Sequence, residues 1–216
     1  MASEVDICNV ALANIRAQSI NSLNENSLQA KNCKLFYPIL RDQLLENTPW
    51  QFAHKSKPLS LTTLVNFNWR YVYQYPIDCI RINKLMIDYE GIRDETFGST
   101  RKVQYEVMNI DDMKVIVSDQ QCLHIDYRAK ITDVNLFSNL FRMTLSHLIA
   151  SEIAIPIIGA EMGRQLRSDN YQIYETYLNS AIGSNNNERH IAVPESEFIT
   201  VQGTDNTRWE RWPNNG

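Results

Sequence analysis

At 216 residues the chain is long enough for one domain with a sizeable core, and its 44% hydrophobic and 21% charged residues are ordinary for a globular protein. The 25 acidic residues outnumber the 21 basic ones, and the formal net charge of -4 disfavours a protein whose main task is to hold nucleic acid. The N-terminus lacks a signal-peptide pattern and no uninterrupted apolar run could span a bilayer, so we expect a protein made in a cytoplasm. The four widely spaced cysteines are expected to be buried and reduced.

The first fifty residues predict two amphipathic helices. One runs from about Ser3 to Arg16, and Ser3 with Asp6 forms a weak version of a capping box. The other runs from Leu28 to about Glu46 after an N-cap at Ser27. Its residues expected to face inward are Ala30, Cys33, Leu35, Phe36, Leu40 and Leu44. Pro38 lies inside this second pattern and is predicted to bend or break it.

Between Phe67 and Ala129 the apolar period changes from 3.6 to 2, which predicts strands. The segments are WRYVYQY, CIRINKLMI, VQYEVM, KVIVS and CLHIDYRA. Short, turn-rich connections favour antiparallel meanders with one face in water. In the first segment one face carries Trp69, Tyr71, Tyr73 and Tyr75, which is typical of a half-buried sheet face and, less often, of a stacking platform for sugar or single-stranded nucleic acid.

Residues 132–183 predict a helical hairpin. Asp133 is placed to cap its first helix, Pro156 to end or kink that helix, and Gly183 to end the second. The first helix has an apolar stripe and a polar stripe between its members; the apolar residues are Leu136, Phe137, Leu140, Phe141, Leu145, Leu148 and Ile149, and the polar ones Asn135, Asn139, Arg142 and Ser146. The second helix is expected to bury Met162, Leu166, Tyr174, Tyr177, Leu178 and Ala181.

Neither helical part is large enough for a core of its own, so we predict an α+β fold in which the N- and C-terminal helices form one antiparallel bundle. The predicted divisions are a helical bundle at 1–50 and 131–183, a β-rich insertion at 51–130, and an extended C-terminal arm at 184–216. The arm is polar but has spaced aromatic residues, which suits a segment that orders on a partner. Its predicted partner-binding residues are Phe198, Arg208, Trp209, Arg211 and Trp212. The alternative is a loose terminus with incidental tryptophans.

Three stretches of the chain together resemble a known family. They are VDICNVALANIRAQSINSLNENSLQAKNCKLFYPILRDQLLENTPWQFA, then YPIDCIRI, then LHIDYRAKITDVNLFSNLFRMTLSHLIASEIAIPIIG. In this order they resemble the tail tubular protein A family, the head-to-tail adaptors of short-tailed bacteriophages. The likeness covers roughly residues 4 to 183, and the order of elements is more distinctive than any single motif.

The resemblance implies a structural virion protein of the tail or neck, made in the host cytoplasm. Family members form a dodecameric ring under the portal protein, with helical bundles side by side and the β region projecting. The arm would then reach the portal, and the lower rim would receive a nozzle protein like tail tubular protein B and, in some phages, tail fibre proteins. The ring would continue the channel for double-stranded DNA, and a slightly acidic lining would let the duplex slide.

No sequence pattern for catalysis, metal binding or a cofactor is present. His54, His124, His147 and His190 fall in different elements with no HExxH or CxxC context, so we expect no metal site. An alternative function, a tail-associated hydrolase of peptidoglycan or capsular polysaccharide, would need paired carboxylates. The pairs available are Asp111 with Asp112 and Glu195 with Glu197, both in settings typical of solvated turns, so we predict a protein that is not an enzyme.

Overall fold

A computed structural model describes residues 3–87 and 103–188, with side chains described up to residue 184. The helices are α1 (Glu4–Asn14), α2 (Leu28–Asn47), α3 (Asn139–Ile158) and α4 (Ala160–Glu188). The strands are β1 (His54–Pro58), β2 (Tyr71–Gln74), β3 (Cys79–Ile87), β4 (Glu106–Ile110), β5 (Met113–Ser118) and β6 (Leu123–Ala129). Helices and antiparallel strands lie in separate parts of the chain, which confirms the α+β class.

The strands form two antiparallel sheets of three strands each. The first sheet has the order β1-β6-β3 and the second the order β2-β5-β4. The antiparallel prediction is therefore confirmed. The meander prediction is wrong, because among these neighbours only β4 and β5 are consecutive in the chain. Strand β1, HKSKP, was missed because it has no apolar alternation and becomes a strand only by pairing with β6.

The N-terminal helices begin where their capping residues predict. The Ser3 hydroxyl accepts a hydrogen bond from the Asp6 backbone N–H at 3.1 Å, and the Asp6 carboxylate accepts one from the Ser3 N–H at 2.8 Å. Ser27 caps α2 by accepting a bond from the Ala30 N–H at 3.2 Å. The predicted break at Pro38 does not occur, because α2 continues through it as one helix. Pro38 lies on the exposed side of α2, so the packing of α2 against α3 is kept.

The hairpin of α3 and α4 departs from prediction at three points. Asp133 caps a short 3-10 turn at Val134–Leu136, while α3 itself begins after Ser138, so Leu136 is exposed. Helix α3 continues past Pro156 and ends at Gly159, whose φ of 99° suits glycine. The predicted end at Gly183 is wrong, because α4 continues to Glu188 and through the start of the predicted arm. Gly183 does not have the positive φ that a glycine cap adopts.

Helix α3 lies at the centre of the helical part and packs against α1, α2 and α4. It is buried nearly all round, which explains why Ser146, predicted to be on a polar stripe, is buried. The approach of α4 to α3 is close at Gly163, where a Cβ atom would lie 2.9 Å from the Ala154 carbonyl oxygen. In α4, Ala181 is buried as predicted, whereas Met162 is exposed.

One apolar core contains residues of both helices and strands. At its centre are four aromatic rings, of Trp50, Phe52, Phe137 and Phe141, with neighbouring centroids 4.6–5.9 Å apart. Side chains of β2, β3, β5 and β6 join the same core, so the β region is packed onto the helices. The predicted division into a bundle and a β insertion stays a prediction.

By length and composition alone, α3 could cross a membrane, whereas from the sequence we expect no apolar run able to span a bilayer. Its 18-residue apolar window is 61% buried inside the protein. The core helix of a soluble protein passes the same test. All four cysteines are free; Cys8 and Cys33 are buried as predicted, but Cys79 is half-buried and Cys122 is exposed.

Candidate interaction surfaces

The predicted arm residues lie outside the described part of the chain. Phe198, Arg208, Trp209, Arg211 and Trp212 follow the last described residue, so their role stays a prediction. The candidate surfaces below are built from residues 3–87 and 103–184.

Helix α2 has an apolar stripe on its outer side. Leu28, Leu35 and Ile39 recur at helical spacing and are 53–58% exposed. The prediction that Leu35 faces inward is therefore wrong, because Leu35 lies on the side of α2 opposite Cys33, Tyr37 and Leu40. The opposite side of α2 is buried in the core through Cys33, Tyr37, Leu40 and Leu44. Helix α2 is therefore apolar on two sides, and only one side is covered by the rest of the described chain.

Helix α4 also exposes large apolar side chains. Tyr171 and Ile182 lie one above the other, 11 residues or about three turns apart, and Met162 and Ile173 form a similar pair on the opposite flank of the helix, across the side that packs on α3. The Tyr171 side borders a shallow groove formed with Ile155 of α3 and lined by two arginines of α4. Arg167 of this groove bonds the Glu152 carboxylate at 3.3 Å and so joins α4 to α3.

A third apolar surface is the loop between β1 and β2. Phe67 is 105% exposed and Val65 is 80% exposed. The same loop contributes Leu64 and Trp69 to a small cluster on the second sheet. Sequence reasoning missed Phe67 as a surface residue because a lone phenylalanine normally predicts burial.

The first sheet has one buried face and one open face. Leu123, Ile125, Tyr127 and Ala129 of β6 point into the core, as the predicted alternation requires. The open face, defined by His54, Arg81, Lys84, His124, Asp126 and Arg128, is here called the basic face. The strand register places three of these residues in one row across β1, β6 and β3, in the order His54, Arg128, Arg81.

The basic face holds one carboxylate among its cationic side chains. Asp126 is 9% exposed; its Oδ1 contacts His54 Nε2 and accepts a bond from the Asn83 side-chain amide at 3.4 Å. Arg128 donates from its Nη1 to the Glu46 carbonyl oxygen near the end of α2. Burial lowers the pKa of Arg128, and the nearby charge of Arg81 lowers it further, while Glu46 opposes both.

Those residues considered for catalysis or metal binding that the structure describes do not form a common site. Asp111 and Asp112 are the two-residue connection between β4 and β5, both with positive φ of 48° and 61°, as in a type I′ hairpin turn. Glu195, Glu197 and His190 lie outside the described residues. Within the described ranges no group of three or more His, Cys, Asp or Glu side chains could hold a metal ion.

His147 is part of a buried polar cluster between helices. Its Nδ1 lies 3.0 Å from the Asn170 side-chain oxygen of α4 and 3.3 Å from the Asn14 side-chain nitrogen of α1, and its ring stacks on Tyr177. His147 of α3 therefore connects α3 to α1 and α4, which is a structural role.

The predicted aromatic row is divided between two clusters. Tyr73 is buried in the main core and its hydroxyl donates to the Gln120 carbonyl at 2.7 Å, with Tyr71 and Tyr75 packed beside the same core. Trp69 instead packs against the small cluster on the other face. The interpretation as a sheet face is thus favoured over a stacking platform. Comparisons with protein-family models and with curated protein sequences find no match for this chain.

Proposed function

We propose that the chain is a structural subunit of a head-to-tail adaptor ring, which joins a portal to a tail nozzle. The resemblance of its three sequence stretches to the tail tubular protein A family suggests this role. The observation that carries it in the structure is the pair of exposed apolar faces on α2 and α4. In this proposal the N- and C-terminal helices act as one bundle and the β region is an insertion within it.

A ring needs two different, complementary surfaces on each subunit, because every subunit contacts its two neighbours in a head-to-tail manner. The α2 stripe of Leu28, Leu35 and Ile39 and the α4 face around Tyr171 and Ile182 are two such surfaces. Both helices pack chiefly against α3, which leaves their outer sides available to different neighbours. Tyrosine and arginine, which line the α4 groove, are frequent at the energetic centres of protein interfaces.

The arm at the end of α4 is proposed to bind the portal through Phe198, Arg208, Trp209, Arg211 and Trp212. Helix α4 is 29 residues long, or about 44 Å, so it carries the chain well away from the α3–α4 turn before the arm begins. Because the helix includes residues 184–188, a truncation that tests the arm should follow Glu188.

The α2 stripe provides the test of ring formation. Leu35→Glu with Ile39→Glu is expected to abolish assembly onto portal-bearing heads, because each buried charge without a partner strongly weakens an interface. The matched control is Gln165→Glu with Thr176→Glu on the exposed polar side of α4, which adds the same charge. Circular dichroism checks that all variants remain folded. Assembly by the α2 variant at the wild-type level would contradict the proposed interface.

No described observation favours the hydrolase. Asp111 and Asp112 are explained by the turn they form, and no enclosed apolar pocket surrounds either of them within the described residues.

A further inference from the structure

The first sheet concentrates positive charge on an acidic protein. Its basic face carries three basic residues and one acidic residue, Arg81, Lys84, Arg128 and Asp126, which gives a formal charge of +2 with the histidines neutral; Lys55 and Lys57 of β1 pair with Tyr127 and Ile125 and so lie on the other face. The whole chain has a formal charge of -4, so all residues outside this face together carry -6. Such a separation of charge produces a local field that the net charge conceals.

Two arginines face each other on adjacent strands within this sheet. Arg81 and Arg128 are direct cross-strand partners on the basic face. Like charges in this position destabilise a sheet, and the lowered pKa of Arg128, caused first by burial and then by Arg81, agrees with that cost. Asp126 contacts His54, and neither Arg81 nor Lys84 forms an ion pair with another described residue. A bound anion would relieve the repulsion.

The basic face also lacks the features of a protein-binding surface. Its strand positions include only Met86 and Pro58 as apolar side chains, and they include no aromatic residue. Protein interfaces normally have an apolar centre with aromatic anchors, and surfaces for single-stranded nucleic acid have aromatic rings for stacking. A polar, cationic surface suits a line of phosphates.

We infer that the basic face binds the phosphate backbone of double-stranded DNA without reading its sequence, and that Arg81 and Lys84 are its principal contacts. Both side chains are exposed and lie on β3, three residues apart across a bulge that places them on the same face. Arg128 contributes mainly to the field, because its guanidinium is bonded to the Glu46 carbonyl. This inference depends on charge and register alone and does not require the ring of the proposed function.

The test is fluorescence anisotropy of the full chain with a labelled 20-base-pair duplex over a range of salt concentrations. Arg81→Ala with Lys84→Ala is expected to weaken binding at least about tenfold at low salt and to reduce the slope of log K against log salt by about 2, since each phosphate contact contributes roughly 0.9. Lys31→Ala with Lys34→Ala, which removes the same charge from α2, should leave binding unchanged. The exchange Arg81→Lys with Lys84→Arg should retain it.

Three results would overturn the inference. These are no duplex binding by the wild-type chain at low salt, equal losses for the β3 and α2 variants, and stronger displacement by polyglutamate than by unlabelled duplex of equal charge. The last result would identify an acidic polypeptide as the partner. Should the β3 variant fail to fold, hydrogen exchange of the wild-type chain decides the matter. Protection of β3 by DNA supports the inference, and protection elsewhere alone refutes it.

Discussion

The two sheets are similar in size and differ in what covers their second face. Each sheet turns one face to the main core: the first through Ile125 and Tyr127, the second through Tyr73 and Ile116. The outer face of the second sheet is covered by its own loop, in a small cluster around Val72, Val115 and Val117. The outer face of the first sheet is polar, and within residues 3–87 and 103–184 no apolar cluster covers it. The prediction of one face in water is thus right for the first sheet and wrong for the second.

This difference separates the residues that stabilise the fold from the exposed residues that could bind a ligand. The main core should determine the global free energy of unfolding, while the small cluster should control local opening of the second sheet. The basic face contributes little apolar burial, so exposed side chains on it such as Arg81 and Lys84 can be replaced with little effect on the main core. Five substitutions test this division, from the largest expected effect to the smallest.

Phe141→Ala should have the largest effect. Phe141 is 0% exposed, and its ring packs edge-on against that of Trp50 with the two ring centroids 4.9 Å apart. Truncation to alanine should therefore lower the free energy of unfolding by about 3–5 kcal/mol. Denaturant titration measures the change. Phe67→Ala is the matched control in the exposed loop and should change stability by less than about 0.5 kcal/mol. Similar losses in both variants would place Phe67 in a packed environment and contradict the described core.

Val117→Ala should have a smaller and more local effect. It removes two methyl groups from the cluster of three valines, for an expected loss of about 2 kcal/mol. Hydrogen exchange should become faster in β2, β4 and β5 and remain slow in α3, because the cluster does not reach the helices. Val107→Ala, on an exposed position of β4, is the control. Equal acceleration in α3 would mean that the two clusters unfold as one unit.

Asp78→Asn tests the link between a turn and the first sheet. The Asp78 carboxylate accepts hydrogen bonds from Lys55 Nζ at 2.7 Å and from the Tyr127 hydroxyl at 3.0 Å. Burial raises the pKa of Asp78, but these two bonds outweigh it and the net pKa is lowered. A lowered folded-state pKa gives stability that is present above the unfolded pKa of about 3.9 and is lost as pH falls through the folded value.

We therefore expect Asp78→Asn to cost about 1 kcal/mol at neutral pH and much less in acid, because the charged carboxylate is half-exposed and its bonds are partly screened. Thermal unfolding between about pH 2 and 7 measures the difference. Asp169→Asn on the exposed side of α4 is the control. A constant difference across this pH range would show that the charge of Asp78 does not stabilise the fold.

The smallest predicted effects lie on the basic face and have opposite signs. Arg81→Gln should stabilise the protein by roughly 0.2–1 kcal/mol, because it removes a like charge opposite Arg128. Lys84→Gln should destabilise it slightly, because Lys84 lies opposite Asp126. Both differences should shrink in high salt. Melting temperatures at low and high salt give the signs, and the same sign for both variants would contradict the pairing register.

The starts of the two N-terminal helices could be predicted from sequence because side-chain capping depends only on nearby residues. Ser3, Asp6 and Ser27 cap helices through bonds to residues three positions away, so the signal and its outcome lie in one short segment. The predicted helix end at Gly183 failed because it depended on tertiary packing and not on local chemistry. A glycine ends a helix only where the chain reverses, and here the buried Ala181 just before it packs α4 against the core.

The basic face could not be predicted because its residues come from three distant segments. His54, Arg81 and Arg128 share a row only through the pairing of β6 with both β1 and β3. The alternation of His124, Asp126 and Arg128 predicted the outward side of one strand, but nothing in the sequence identified its neighbours. The exposed stripe of α2 was hidden similarly, since apolar residues on two sides of a helix look the same before one side is covered.

The most direct test of the adaptor proposal is native mass spectrometry of the chain with the portal ring that the proposal assigns to it as a partner. We expect twelve copies of the full-length chain on one portal ring, fewer or none when the chain ends after Glu188, and no ring for Leu35→Glu with Ile39→Glu. A full-length chain that stays monomeric beside the portal, or a chain ending after Glu188 that still binds in twelve copies, would contradict the account.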